Sequence, residues 1–210
     1  MTIDVAYNAW APSYDGQPNR TRDLDAGVAC QLSQAPCARL VEAGCGTGKN
    51  TVHYAALAAQ VLALDFSGGM LAIARERISA GHVQFQQADL QQPWPCAPGS
   101  ADRVAFHLVL EHIADLGQVL GHAAAALRPG GQVVICELHP ARQYRGSQAH
   151  YLDAAGRPVA VTAHVHHISD YLAAAAQAGL TLVALDEHWH ADDARNGLPR
   201  LLSLVLQRCA

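Results

Sequence analysis

The chain has 210 residues, enough to bury one hydrophobic core and few for two domains. Half of the residues are apolar, 15% are charged and the formal net charge is -4, so no basic surface indicates nucleic acid or an anionic membrane as a partner. No uncharged apolar run reaches the ~18 residues of a membrane helix. The N-terminus also lacks the basic start and apolar core of a signal peptide, and we expect a cytoplasmic protein.

Six cysteines lie at positions 30, 37, 45, 96, 136 and 209. None of them forms a C-x-x-C pair, so the spacings that are typical of metal and redox sites are absent. We therefore expect buried free thiols in a reducing compartment.

The first predicted elements are an aromatic, turn-rich segment at 6–19, expected to be a loop or short helix, and a helix from about Arg20 to Leu32. From residue 38 onward, apolar runs of strand length alternate with helical patterns. Ser67 is a possible N-cap of the second of these helices, and Pro129 with two glycines is expected to end the third. This alternation predicts right-handed βαβ units in a parallel sheet that is covered on both faces. The predicted strands span 38–44, 60–66, 82–90, 101–110 and 132–138, and the helices between them span 48–58, 67–80 and 115–131.

After His139 the pattern changes. Two β-like runs flank residues 153–158 and predict a hairpin. A helix with Ser169 as its N-cap follows, and then come two strands, at 181–190 and 199–209. The link between these strands is too short for a parallel crossover, so we expect them to be antiparallel.

Glycines at positions 44, 46 and 48 form the turn between the first strand and the next helix, in the sequence VEAGCGTG. Glycine lets the backbone approach a ligand closely, and the helix that begins there directs unpaired N–H groups and its positive dipole end at that ligand. Both dinucleotides and S-adenosylmethionine are ligands of such turns. The spacing here is G-C-G-T-G rather than G-x-G-x-x-G, and the Glu42 carboxylate would repel a pyrophosphate but suits a ligand with an ammonium and a sulfonium.

VEAGCGTG resembles the first motif of the class I S-adenosylmethionine-dependent methyltransferases, and the resemblance continues in order along residues 38 to 140. LALDFSGGML is similar to the second motif, QQADLQQPWP to the third, ADRVAFHLVLEHIADL to the fourth strand with its turn, and LRPGGQVVICELHP to the fifth strand. The resemblance implies a Rossmann-like, doubly wound α/β fold with a seven-stranded sheet, mostly parallel with an antiparallel C-terminal strand. It also implies S-adenosylmethionine as cofactor and S-adenosylhomocysteine as product.

We expect one methyltransferase domain over residues 1–210. Its parts would be an N-terminal lid and helix at 1–37, a cofactor-binding core at 38–139, a substrate-side hairpin insert at 140–167, and a C-terminal helix with the antiparallel strand pair at 168–210.

The resemblance assigns cofactor contacts by position. Asp65 ends the second strand and would hold both ribose hydroxyls, since a carboxylate can accept two hydrogen bonds from a cis-diol. Asp89 and the Leu90 backbone would meet the adenine edge. Phe66 and Met70, one helical turn apart, would enclose its faces.

Tyr14, in the segment WAPSYDG, would cover the methionine end of the cofactor. The turn itself contributes Glu42, Gly44, Cys45 and Gly46, and we expect Cys45 to lend its N–H rather than to act as a nucleophile, because no basic partner is adjacent to it in sequence. Structural roles stay open for these positions: a helix N-cap for Asp65, a turn acid for Glu42 and Asp89, and core packing for the aromatic residues and Met70.

Two histidines end strands where open α/β sheets bind ligands, His107 on the fourth strand and His139 on the fifth. Histidine is suited to remove a proton near neutral pH, so we predict both as candidate catalytic bases, with His107 also beside the cofactor. For each, a structural role that satisfies carbonyl groups stays open. The substrate wall is expected to include Tyr7, Trp10, His112, Tyr144 and His166. His164 and His166 would face one way on a strand, but no third metal ligand is identifiable and we expect no metal.

The resulting hypothesis is an enzyme that transfers a methyl group from S-adenosylmethionine to an O, N or C nucleophile of a small-molecule metabolite by in-line displacement. The alternatives are a non-catalytic S-adenosylmethionine-binding protein and an NAD(P)-dependent oxidoreductase. The glycine spacing and the lack of a Tyr-x-x-x-Lys motif oppose the oxidoreductase. We expect a monomer or homodimer without a membrane or nucleic-acid partner.

Overall fold

The computed structural model describes residues 2–152 and 155–209. In chain order the strands are β1 (Cys37–Ala43), β2 (Ala58–Asp65), β3 (Val83–Gln87), β4 (Ala101–His107), β5 (Leu127–Leu138), β6 (His150–Leu152), β7 (Pro158–Ala160), β8 (Leu180–His188) and β9 (Leu201–Arg208). Seven of them form one sheet in the order β3-β2-β1-β4-β5-β9-β8. Neighbouring strands pair in parallel from β3 to β5, and β9 lies antiparallel between β5 and β8.

The helices are α1 (Ile3–Trp10), α2 (Arg20–Leu32), α3 (Thr51–Leu57), α4 (Gly68–Arg77), α5 (Leu116–Ala126), α6 (Pro140–Gln143) and α7 (Ile168–Gln177). They pack on both faces of the sheet, with α2, α3 and α4 on one face and α5 and α7 on the other. None of the described helices combines the length and the apolar character of a membrane span.

The central strands are apolar at successive positions because both of their faces are buried. Successive side chains of a strand point to opposite sides of the sheet. In β1, Leu40 packs in the cluster that includes α3 and α4, whereas Val41 packs in the cluster that includes α5 and α7. Ala105 and Phe106 of β4 divide in the same way, and all four side chains are fully buried. A parallel sheet between two helical layers requires this pattern.

The structure confirms the predicted α/β class and the antiparallel C-terminal strand. It also confirms the hairpin of the insert, where Tyr151 of β6 lies opposite Val159 of β7. Residues 153 and 154 of the predicted turn lie outside the described residues. Positions 161–167 have irregular backbone, so the predicted alternation of their histidines along a strand is wrong.

The predicted end of α5 is wrong. The helix ends at Ala126, and Leu127 already has the extended angles φ −71° and ψ 142° with which β5 begins. Pro129 and the two glycines therefore belong to the start of this strand. Gly131 is required there because a Cβ would lie 2.9 Å from the carbonyl oxygen of Arg128.

The predicted N-cap of α7 is wrong by two residues, since the cap is His167 and not Ser169. Asp170 explains the earlier start, because its Oδ2 accepts a hydrogen bond from the His167 backbone N–H at 2.8 Å and closes the first turn there. Ser67, in contrast, caps α4 as predicted, with its side chain accepting a hydrogen bond from the Met70 N–H.

All six cysteines are free, as predicted, but only two are buried. Cys45 and Cys136 lie in the core, whereas Cys30 and Cys209 are exposed. The expectation of uniformly buried thiols is therefore wrong for the exposed pair, which lies at the solvent side of α2 and after β9.

The N-terminal segment forms α1 and a 3₁₀ turn, and α1 joins two distant parts of the fold. On one side, the Oδ1 of Asn8 accepts hydrogen bonds from the Ser67 hydroxyl and the Gly69 N–H at the start of α4. On the other side, the Trp10 ring stacks on Tyr151 of the hairpin, with 6.0 Å between centroids. The segment is thereby held above the carboxyl ends of the strands.

The glycine turn after β1 touches the segment that follows β4. Gly44 has φ +83°, in the left-handed region, and a Cβ on it would lie 2.5 Å from Cγ2 of Val109. Only glycine satisfies both the backbone and the packing at this point.

Replacing Gly44 with alanine should destabilise the protein by about 2 kcal/mol or more, since the strained backbone and the overpacking add. Gly27→Ala is the matched control, because Gly27 lies inside α2 and a Cβ there meets no atom within 4 Å. That variant should gain about 0.5–1 kcal/mol. Urea unfolding of both variants measures the difference, and equal stability of the two would contradict the packing described.

Candidate active site

A cavity of about 550 Å³ opens at the carboxyl ends of β1, β2 and β4, the position where open parallel sheets bind ligands. Its walls come from the glycine turn, the ends of β2 and β3, the segment after β4 and the N-terminal segment. The predicted cofactor contacts all line it: Tyr14, Glu42, Gly44, Cys45, Gly46, Asp65, Phe66, Met70, Asp89, Leu90 and His107.

The glycine turn is fastened to the end of β2 by its backbone. Gly44 and Cys45 both donate to the Leu64 carbonyl, at 2.8 and 2.9 Å, and the Gly46 N–H donates to Oδ2 of Asp65 at 2.8 Å. Gly46 has φ +54°, and a Cβ on it would meet no atom within 4 Å. The cavity therefore continues up to this backbone, which leaves room for close approach by a ligand.

Cys45 does not present a reactive thiolate. Its side chain is buried, and burial followed by the Asp65 and Glu42 carboxylates raises its pKa well above the usual value. The thiol stays protonated at neutral pH, so Cys45 acts through its backbone and its packing.

Asp65 is held rigidly at the end of β2. Besides the bond from Gly46, its Oδ1 accepts from the Ser67 N–H at 2.9 Å. Burial raises its pKa to about 6, although these N–H groups oppose the shift. The carboxylate is therefore ionised at neutral pH, and each oxygen keeps a further lone pair that can accept from a ligand hydroxyl.

Glu42 supplies a second buried carboxyl group beside the turn. Its Oε2 accepts from the Thr51 hydroxyl at 2.5 Å, and burial raises its pKa to about 7. A cationic ligand group next to Glu42 would favour the ionised form and would be attracted by it.

The opposite wall is apolar and narrow. Met70 and Leu90 are nearly inaccessible, and the Phe66 ring packs 6.2 Å from the ring of Tyr7. Asp89 lines the same region, although its Oδ1 already accepts from the Gln91 N–H. These residues leave an apolar slot with polar groups at its edge, as a planar heterocycle requires.

A buried network lies under the cavity and includes residues that the sequence analysis missed. Asp25 of α2 accepts from Nδ1 of His107 at 2.7 Å and from the Asn50 amide at 2.8 Å. Nε2 of His107 lies 2.6 Å from the Tyr54 hydroxyl. Burial alone would lower the pKa of His107, but the Asp25 carboxylate outweighs it and the pKa is raised. His107 lines the cavity, but its Nε2 is directed at Tyr54, which lines neither the cavity nor the one beside it, so this hydrogen bond offers no route to a substrate proton.

Arg22 was also missed, and its guanidinium lines the cavity. It donates to the carbonyls of Tyr14 and Gln17 and lies 4.0 Å above the Tyr14 ring. It forms no ion pair with a described carboxylate. Arg22 and Asp25 share the buried face of α2 with Val28 and Ala29, so their helical spacing was the signal that could have identified them.

His112 is held with one nitrogen available as a base. Nδ1 lies 2.7 Å from the Thr162 carbonyl, which can only accept, so Nδ1 carries the proton. Nε2 then accepts from the Tyr7 hydroxyl at 2.7 Å. Burial lowers the pKa of His112, and the ring is neutral at physiological pH.

A second cavity of about 430 Å³ adjoins the first. Tyr7, Tyr14, Arg22 and Leu108 line both cavities and form the wall between them. Leu108 has φ 51° and is the only non-glycine residue with positive φ in the described part of the chain. Strained backbone of this kind occurs at ligand sites, where the surrounding structure enforces it. The remainder of the second cavity is formed by Trp10, residues 17–19 and Thr21, Glu111, Leu138, the 146–150 segment of the insert and Arg200.

Three of the predicted site residues line neither cavity. His139 accepts from the Ala141 N–H through Nδ1 and contacts Glu187 through Nε2, so it caps α6 at the point where the chain leaves β5. Tyr144 is exposed and bonds to His167. His166 contacts the Ile113 carbonyl and packs on Tyr171. The structure thus brings Tyr7, Trp10 and His112 to the cavities but not these three.

The cavity wall after β4 depends on Glu137. Its Oε1 accepts from both the Val109 and Leu110 N–H groups at 2.9 Å, and among the described residues its Oε2 has no partner. Burial raises its pKa to about 8, so the folded protein holds it as the neutral acid.

Comparisons with known proteins show the family to which the chain belongs. Residues 41–135 match the family described as "Methyltransferase domain". The uncharacterized methyltransferase AN0656 of Emericella nidulans is 32% identical over 220 residues, covering 86% of this chain and 76% of its own length. The demethylmenaquinone methyltransferase of Clavibacter sepedonicus is 35% identical over 113 residues, which cover 52% of this chain and 46% of that protein. The malonyl-[acyl-carrier protein] O-methyltransferase of Serratia marcescens is 32% identical over 138 residues, 66% of this chain and 53% of that protein. The chain thus spans about half the length of these last two relatives.

Solved structures share the fold over nearly the whole chain. The DhpI–SAH complex superposes with a TM-score of 0.77 at 23% identity and covers 99% of this chain and 95% of its own. An S-adenosylmethionine-dependent methyltransferase from Mesorhizobium loti has a TM-score of 0.72 at 24% identity, covering 87% of this chain and 96% of its own.

We expect Glu137→Gln to remove part of the pH dependence of stability. The folded pKa of Glu137 lies above its unfolded value near ~4.3, so its contribution to stability is complete below that pH and is lost as pH rises towards 8. Glutamine mimics the neutral acid at every pH. The free energy of unfolding of the variant should therefore exceed that of the wild type increasingly between pH 5 and 8, by up to ~1.4 kcal/mol per pH unit. A constant difference between the two proteins would contradict the assignment of a neutral Glu137.

Proposed function

The chain belongs to the class I methyltransferases that use S-adenosylmethionine as cofactor, and we propose that it methylates a hydroxyl oxygen of a small molecule. The cofactor would occupy the first cavity and the acceptor the second. The observation that carries the proposal is a hydrogen-bonded pair formed by Tyr7, which lines both cavities, and His112, which lines the first.

The residues of the first cavity fit S-adenosylmethionine. Asp65 offers lone pairs to a ribose diol, and the open space at Gly46 admits a ligand against the backbone. Glu42 would attract the methionine ammonium group, and Arg22 the methionine carboxylate. Bound there, the cofactor supplies an electrophilic methyl group on a positively charged sulfur. Glu42 disfavours the pyrophosphate of a nicotinamide dinucleotide, the alternative considered from the sequence.

The apolar slot completes the cofactor site. Phe66 and Met70 would enclose the adenine ring, with Asp89 and the Leu90 backbone at its edge. Tyr14 would cover the methionine end, where its ring already packs under the Arg22 guanidinium. Closing this end against water preserves the reactivity of the charged sulfur.

A hydroxyl acceptor must lose its proton as its oxygen bonds to the methyl carbon, and the chain has a route for that proton. The acceptor O–H would donate to the Tyr7 oxygen while the Tyr7 proton passes to Nε2 of His112. The O–H bond of the acceptor would be replaced by an O–CH₃ bond. The electron pair of the broken S–CH₃ bond would stay on the sulfur of S-adenosylhomocysteine, and the proton would end on His112. Burial raises the pKa of Tyr7 well above its usual value, so Tyr7 relays the proton and does not keep a negative charge.

The imidazolium that forms on His112 has two stabilising neighbours. The Thr162 carbonyl accepts from Nδ1 at 2.7 Å, and Oε1 of Glu111 lies 3.8 Å from Nε2. Burial raises the pKa of Glu111 to about 7, so a positive charge on His112 would favour its ionised form.

Cofactor binding should depend on the ionisation of Asp65. S-adenosylhomocysteine is expected to bind with a micromolar Kd, roughly −8 kcal/mol, and its affinity should decrease as pH falls through about 6, the pKa of Asp65. Asp65→Asn should raise the Kd ~10-fold or more, because it removes a charged acceptor, and should lack the step near pH 6. Calorimetry from pH 5 to 8 measures both effects. Asp186→Asn removes the same charge at an exposed position of β8 and should change neither the Kd nor its pH dependence. If Asp65→Asn also behaved like the wild type, the ribose diol would be held by other residues.

Turnover should depend on His112 and Tyr7 but not on His139. His112→Ala should lower the rate of S-adenosylhomocysteine formation ~10²–10⁴-fold, the usual effect of losing a general base, and Tyr7→Phe should also lower it. The Kd for S-adenosylhomocysteine should change little in either variant. His139→Ala is the matched histidine control and should retain turnover, since His139 lines neither cavity.

The pH profile provides an independent check on the same pair. Because burial lowers the pKa of His112, the wild-type rate should stay constant down to pH ~6.5 and fall only below it. Near-normal turnover of His112→Ala would exclude this histidine as the base and would favour an acceptor that needs none.

A further inference from the structure

The second cavity contains a cationic group without an ion-pair partner among the described residues. Arg200 lines this cavity and does not line the first one. Its Nε is buried and forms no hydrogen bond among residues 2–152 and 155–209, and no described carboxylate lies within 4.0 Å of its guanidinium. The residue as a whole is half-buried. Its buried Nε–H is unfavourable without an acceptor, and an anionic ligand would supply one.

The backbone holds Arg200 in a defined position. Its N–H donates to the His188 carbonyl at the end of β8, and its carbonyl accepts from the His139 N–H at the end of β5. The residue is therefore fixed between two strands of the sheet immediately before β9 begins. A guanidinium carried on such a support is suited to bind a ligand in one orientation.

Two other donor groups of the second cavity are already engaged. Arg22 donates to two carbonyls, and the Gln148 amide donates to the Val161 carbonyl. The buried Nε1–H of Trp10 also has no partner among the described residues, but it carries no charge. Glu111 is the acidic side chain of the described lining, and burial raises its pKa to about 7, so it only partly offsets the two arginines.

The cations beside Arg200 have partners of their own. Arg142 donates to the Leu198 and Pro199 carbonyls, and Arg20 pairs with Asp192. The Asp193 carboxylate acts on Arg200 through its charge, but it lies more than 4.0 Å from the guanidinium. Arg200 therefore has no ion-pair partner in the described chain.

We propose that Arg200 binds the carboxylate of the methyl acceptor, and that the acceptor is a small hydroxylated carboxylic acid whose hydroxyl group faces Tyr7. This inference rests on the proposed function, because it assumes the same methyl transfer to a hydroxyl group. It adds the chemical class of the substrate. Arginine matches a carboxylate because its planar donors can bind both oxygens. The second cavity, of about 430 Å³, lies within the range that holds small-molecule ligands. The acid would be anchored at one end and methylated on oxygen at the other.

The test uses the full chain saturated with S-adenosylhomocysteine for binding, and with S-adenosylmethionine for turnover. The probes are 3-hydroxybenzoate, 4-hydroxybenzoate and 3-hydroxybutanoate, each paired with its primary amide, which keeps the shape and removes the charge. Calorimetry measures binding, and mass spectrometry measures S-adenosylhomocysteine and the methylated product. We expect at least one acid to bind and to be methylated on its hydroxyl, and its amide to bind ~10-fold or more weakly.

The variants separate the anion site from general effects of charge. Arg200→Gln should weaken acid binding ~10-fold or more, and Arg200→Lys should restore part of it. Neither variant should alter the Kd for S-adenosylhomocysteine, and an unchanged Kd also shows that the fold is intact. Arg145→Gln removes the same charge from an exposed insert residue outside both cavities and should bind acids like the wild type.

Three results would overturn the proposal: no acid in the panel binds, the amides bind as well as the acids, or Arg200→Gln retains wild-type affinity for acids. Formation of a methyl ester would overturn the assigned orientation, because the carboxylate would then be the nucleophile. Failure of the proposed base is distinguishable from all of these, since it leaves the acid affinity dependent on Arg200 while His112→Ala and Tyr7→Phe keep their turnover.

Discussion

The close packing of the segment after β4 against the glycine turn determines the shape of the whole site. Gly44 has no Cβ and so admits Val109, and the neutral carboxyl group of Glu137 holds the N–H groups of Val109 and Leu110 from below. Leu108 is forced into the left-handed region between these two constraints. The wall that separates the two cavities exists because this short segment cannot move away from the turn.

The same segment delivers His112 to the wall. A 3₁₀ turn at Leu110–His112 follows directly, and it places the imidazole between the Tyr7 hydroxyl and the Thr162 carbonyl. The N-terminal helix and the insert therefore both contribute to the tautomer of one histidine. Three segments that are distant in sequence must therefore meet: α1, the turn after β4 and the insert. Only then is the lone pair of His112 Nε2 directed at the Tyr7 hydroxyl.

Charge is distributed unevenly between the cavities. The first contains the carboxyl groups of Asp65 and Glu42, with Asp25 and His107 paired beneath them. The second contains Arg200 and shares Arg22 with the first, against one acid with a raised pKa. A cationic ligand group is favoured on one side of the wall and an anionic one on the other, which agrees with the proposed transfer from a sulfonium to an acid.

The sheet, the glycine turn and the residues that line the first cavity could be predicted from the sequence, because the features that indicate them are local. These features are apolar runs of strand length, the G-C-G-T-G spacing and an acid at the end of β2. Gly46 and Asp65 then meet because β1 and β2 are parallel neighbours. The surroundings of the histidines, in contrast, are known only from the folded chain. His107 is engaged by Asp25, which is 82 positions away in sequence, His112 is oriented by Tyr7 and Thr162, and His139 caps the next helix. A histidine is a base, a cation or a cap according to the groups that reach its two nitrogens, and those groups come from elements that meet only after the chain has folded.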